Sequence, residues 1–211
     1  MLSLIRKDIK LVTFGTYNKI FLVVFVPVLM AMSGFDFTVK YMYMAIVLSF
    51  AYMLVLTSFS YDVQFKTNLY VQSLPTTKSE IVRGKYVFSL LAFLFSMIYS
   101  SLYLGLLNIF TSLNFDLFDI YTMKNSFILF LILISFVVPL NYKLPPKIAS
   151  FFGVFTYVFL INTFAMSTTD IEEVFNHWLF SLYGGLFGIL IGLGLIILST
   201  KLSIYLYGKR A

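Results

Sequence analysis

The sequence predicts an all-α polytopic membrane protein with six transmembrane helices, and three observations predict it. Hydrophobic residues make up 60% of the 211 residues and charged residues only 11%, where a soluble domain carries about a quarter charged. The apolar residues are gathered into runs close to the roughly 20 residues that cross the hydrocarbon core of a bilayer. The cations then fall on one side of those runs. With the N-terminus inside, thirteen of the fifteen Lys and Arg lie on the cytoplasmic face and only Lys40 and Lys124 lie outside, a strong positive-inside bias. Both termini are therefore expected in the cytoplasm.

Residues 1–18 read as a separate amphipathic helix. Leu2, Ile5, Ile9 and Val12 share one face and Arg6, Lys7 and Lys10 another, the pattern of a helix lying on an anionic leaflet. It could equally act as a lever between the first span and a cytosolic partner. Residues 19–211 form the six-helix transmembrane domain, with spans at 19–35, 41–60, 86–110, 125–142, 148–167 and 178–200. The first span is the weakest, with an unbroken apolar run of only residues 20–32 that contains Pro27. It is not read as a signal peptide, because the segment before it is long, amphipathic and holds Asp8 among its cations.

Between the second and third spans, residues 62–85 form the longest polar break. Thr77 is followed three residues later by Glu80, the spacing of a capping box, and Pro75 lies just upstream; a short cytosolic helix over residues 78–85 is expected to run into the third span at Tyr86. Pro145-Pro146 ends the fourth span and forces a tight turn. Pro27 and Pro139 are expected to kink their spans, with neighbours satisfying the freed backbone groups. In the sixth span Gly184, Gly188 and Gly192 recur every four residues, a small-residue row that lets two helices approach closely, within the protomer or across a dimer.

The chemistry that is missing is equally informative. There is no cysteine and a single histidine, His177, so thiolate chemistry and histidine metal clusters are excluded. No Asp, Glu, Lys or Arg sits at mid-membrane, where ion-coupled carriers generally need one. Asn108, Asn141 and Asn162 read as interhelical hydrogen-bond partners. Neither a nucleophile elbow, an H-E-x-x-H pair nor a phosphate-binding loop occurs, so no enzymatic activity, resident cofactor or ATP hydrolysis is expected of this chain. Its net charge of +6 follows topology and does not gather in a nucleic-acid-binding domain.

The long loop also carries a resemblance. Tyr61-Asp62 at the end of a span, then Leu74-Pro75-Thr76-Thr77-Lys78, Ile81-Val82 and Lys85-Tyr86 entering the next, resembles the small six-span permeases of type-2 ATP-binding-cassette (ABC) exporters. Pro139-Leu140-Asn141-Tyr142-Lys143 with Lys147, and the opening Leu4-Ile5-Arg6-Lys7-Asp8, are further matches. The likeness covers the N-terminal two-thirds; the last third is similar only in hydropathy and length. In size and look the chain is most similar to the staphylococcal permeases that export phenol-soluble modulins, which are amphipathic peptide toxins.

The resemblance implies a bacterial plasma-membrane permease pair, homo- or heterodimeric, docked on two separate ATPase chains that bind ATP and magnesium. The coupling helix would comprise Thr76, Thr77, Lys78, Glu80, Ile81, Val82 and Arg83, with residues 1–13, including Leu2, Ile5, Ile9 and Val12, as a connecting helix beside it. The substrate would be an amphipathic peptide or another hydrophobic molecule moved outward. Two other readings fit the same composition: a membrane-embedded immunity or binding protein, and a passive uniporter or channel.

Overall fold

The computed structural model describes residues 2–14, 20, 39–65, 67, 76–110, 120–165 and 182–210. They form six helices: α1 (Leu2–Phe14), α2 (Val39–Gln64), α3 (Lys78–Phe110), α4 (Ile120–Lys143), α5 (Pro146–Ala165) and α6 (Leu182–Arg210). No strand occurs among the described residues. Apart from residue 20, the predicted first span, 19–35, lies outside them, as does His177. Four of the described helices are long and apolar enough to cross a membrane: Tyr43–Gln64, Lys78–Leu106, Thr122–Lys143 and Gly185–Lys209. Within α5 the shorter stretch Pro146–Leu160 is apolar.

The helices begin and end for local reasons. At the start of α3 the backbone N–H of Thr77 donates to Glu80 Oε2 at 2.9 Å and the N–H of Glu80 to Thr77 Oγ1 at 3.3 Å, a reciprocal cap that satisfies donors the helix itself leaves open. The segment after this cap is no separate short helix. It continues without a break through the span to Phe110. Between α4 and α5 only Leu144 and Pro145 intervene, and Pro146 opens α5, where its missing N–H costs no helical bond. The last helix extends beyond the sequence estimate of residue 200 and ends at Arg210.

α2 and α4 form the centre, α3 and α6 pack on them, and α1 lies against α2 and α3. Phe50, Phe93 and Phe130 are fully buried, with Phe93 stacked on Phe130 at 4.8 Å between ring centroids. Pro139 lies inside α4. Lacking an N–H, it leaves the carbonyl of Ser135 without its helical donor. Ser199 of α6 supplies one instead, its hydroxyl donating to Ser135 O at 2.7 Å. With that proton committed, the Tyr86 hydroxyl, 2.6 Å away, donates to Ser199 Oγ and accepts from Ser203 at 2.9 Å. One proline thus explains a hydrogen-bonded chain across α3, α4 and α6.

Candidate functional site

The end of the bundle where α2 finishes and α3 begins holds the densest polar chemistry among the described residues. α1 turns Leu4, Ile5, Asp8 and Val12 inward, positions three to four apart that lie on one helical face. Asp62 stands in the last turn of α2, and Lys85 two turns into α3. These side chains and Lys7 close a ring of alternating charge. Lys85 Nζ lies 3.0 Å from Asp8 Oδ1 and 2.5 Å from Asp62 Oδ2, and Lys7 Nζ lies 2.7 Å from Asp62 Oδ1 and 3.3 Å from Asp8 Oδ1. Asp8, Asp62 and Lys85 are at most 5% exposed.

Two ammonium groups and two carboxylates leave the ring formally neutral. That neutrality matters, since an isolated buried charge would cost several kcal/mol in lost hydration. The hydrogen bonding is also saturated. Lys85 has three protons and three close acceptors, Asp8, Asp62 and Ser58 Oγ at 2.5 Å, and its ammonium stands 5.0 Å from the Phe59 ring centroid. Asp62 Oδ1 also accepts from Thr67 at 2.5 Å. Burial by itself would lower the pKa of Lys7, but Asp62 and then Asp8 outweigh it and hold Lys7 above the ordinary lysine value.

Beside the ring, the capped first turns of α3 divide into two faces. Thr77, Lys78 and Arg83 are exposed, and Thr76 and Glu80 are half-buried. Ile81 packs against the core, and Val82 is 0% exposed inside it. Val82, which the resemblance placed in the coupling helix, is thus a core residue of its own chain. Lys78 reaches across to the end of α6, its Nζ 3.4 Å from Gly208 O, where a cation meets the negative end of the helix dipole.

A family model described as ABC-2 family transporter protein matches residues 3–208. The chain belongs to this family. No curated protein and no solved structure matches it. As an ABC-2 family protein with four membrane-length apolar helices, it is a multi-pass protein of the bacterial plasma membrane.

The remaining predicted residues of this ABC-2 family chain divide between placed and displaced. In α1, Ile5 and Val12 are buried, but Ile9 is 43% exposed and Asp8 occupies the inward position in its stead; the side chain of Leu2 lies outside the described residues. In α6, a Cβ on Gly188 would stand 2.9 Å from Ile128 Cδ1, and one on Gly192 2.8 Å from Leu131 Cδ1. These glycines face α4 of the same chain, the most extensive helix contact described. Gly184 lies in α6, and what it faces lies outside the described residues.

The ring of Lys7, Asp8, Asp62 and Lys85 in this chain went unrecognised in the sequence. One signal pointed to it: only Asp8, Asp62 and Glu80 are acids on the cation-rich side. Glu80 closes a cap and the other two close the ring.

Proposed function

We propose that this chain is the permease subunit of an ABC exporter, in which two permease chains stand on two separate ATPase chains that bind ATP and magnesium. The first turns of α3 serve as the docking segment, and the cation-rich end faces the cytoplasm. The observation that carries this reading is the division of those turns into two faces. Thr77, Lys78 and Arg83 point outward while Val82 and Lys85 fasten the same turns to the core and to the ring. A partner pressing on the outward face therefore loads α1, α2 and α3 together. The chain has no phosphate-binding loop of its own, which assigns hydrolysis to another chain.

An amphipathic peptide such as a phenol-soluble modulin, or another hydrophobic molecule, is the proposed cargo. The reading is supported by the uncharged, aromatic-rich outward faces of the helices, such as Phe151, Phe155 and Phe159 on α5, which suit apolar ligands. Affinity purification of the tagged chain from its own host tests the core of the proposal. An ATPase should copurify, and Lys78→Glu combined with Arg83→Glu should lower its recovery about tenfold, equivalent to about 1.4 kcal/mol of binding, while the permease loses only the exposed Lys78–Gly208 contact and stays folded. Equal recovery with the double variant would remove these turns from docking.

A further inference from the structure

The ring joins residues that three separate elements contribute, and α1, which gives the main core cluster only Val12 among the described residues, is the one of the three with least to hold it against a swing. The contacts of α1 argue against such a swing. It brings one cation and one acid, Lys7 and Asp8, to a corner that already holds one of each, Asp62 and Lys85. Were α1 to leave, Asp62 would lose Lys7, and Lys85 would lose one of its three acceptors while remaining in the bundle. The Asp62–Lys85 pair left behind would stay neutral but short of hydrogen-bond partners in a buried place, which costs stability. Shape adds to charge. Gly84, one residue before Lys85, leaves a notch that Leu4 fills, and a Cβ built on Gly84 would stand 3.7 Å from Leu4 Cβ. The residues on the other side of α1, Arg6, Ile9 and Lys10, are exposed and take no part in this seating.

We propose that α1 stays seated on α3 throughout the working cycle, with Lys85 as the positioning residue that holds it, so that α1 and the start of α3 move as one body. The functional half of this inference rests on the reading of the first turns of α3 as an ATPase-docking segment; the seating of α1 by Lys85 does not.

The chain has no native cysteine, which makes a cross-linking test clean. The pair Leu4→Cys and Gly84→Cys places its Cβ atoms at a separation suited to a disulfide. In the complex purified with its ATPase, copper phenanthroline should cross-link the pair fully, and ATP hydrolysis should proceed at the rate seen before oxidation. Failure to cross-link would overturn the seating. Hydrolysis lost on oxidation and restored by a thiol reductant would show that α1 must part from α3, and would overturn the one-body motion.

Maleimide labelling of the single variant Leu4→Cys in membranes tests Lys85 without any ATPase. Labelling should be slow in the otherwise native chain and several-fold faster when Lys85→Met is added. Where Lys85→Met fails to insert, Asp8→Leu, which has no acceptor, breaks the same contact from the α1 side and should give the same acceleration. Unchanged labelling in the variant that inserts would remove Lys85 from the positioning role. If no ATPase copurifies, the docking proposal falls, and the labelling result still decides whether Lys85 seats α1.

Discussion

The corner where α1 meets α2 and α3 and the seam between α4 and α6 are both close contacts, built by opposite means. In the corner four formal charges form a closed ring with no separation above 3.3 Å. Along the seam the contact is glycine against Ile128 and Leu131, held by dispersion and close approach. Removal of one charge leaves the others mismatched in a buried site, so the corner should fail abruptly. Added volume in the seam shifts helices by degrees, so it should fail in proportion to size.

The sharpest way to break this comparison is Asp62→Ala. It leaves Lys7 and Lys85 facing a single carboxylate and should cost about 3–5 kcal/mol, read as the largest fall in thermal stability of the solubilised protein among the variants considered. A smaller loss than that of a seam variant would reverse the ranking. Gly188→Leu tests the seam: its first side-chain carbon already meets Ile128 at 2.9 Å, and overpacking of this kind costs about 1–3 kcal/mol. The same stability assay should show Gly188→Ala lying between wild type and Gly188→Leu. A Gly188→Leu variant that melts normally but loses self-association would instead put this row at an interface between chains.

Ser199→Ala lies between the two regimes, for it strips a buried carbonyl of its donor and Tyr86 of its acceptor. A loss of about 1–3 kcal/mol is expected. Restoring an N–H with Pro139→Ala in the same chain should recover part of it, and no recovery would detach the serine from the proline. Thr77→Ala is the mildest, removing one capping acceptor at the exposed start of α3, worth about 1 kcal/mol. Faster amide hydrogen exchange confined to the first turn of α3 is the measurement.

The two regions also differ in how far a reader of the sequence could have found them. The seam is written in one stretch, with Gly188 and Gly192 at a spacing of four that needs only helical periodicity. The start of α3 is equally local, because Thr77 and Glu80 name the cap between them. The corner joins residues 7, 8, 62 and 85, whose meeting depends on how three helices pack, and no local pattern encodes that.

The same dependence turned α1 away from its expected face. Burying Ile9 would contribute about 1.5–3 kcal/mol, yet seating Asp8 between Lys7 and Lys85 gives Lys85 another acceptor and offsets the Lys7 charge that α1 brings with it. The helix rolls so that Asp8 goes in and Ile9 stays out. Val82 follows the same logic: it lies in the longest polar break of the sequence, yet its turn belongs to a helix whose inner face joins the core.

The unbroken course of α3 has a mechanical consequence. Thirty-three residues in one helix make a rod about 50 Å long, while the hydrocarbon core it crosses is about 30 Å thick. No proline interrupts it, so no missing N–H opens a hinge along its length. A tilt of about 10° imposed at the Lys78 end would carry the Phe110 end sideways by about 9 Å for a rod of this length, enough to pass a side chain from one neighbour to the next. Stiffness alone would thus carry a push on one side of the membrane to the other.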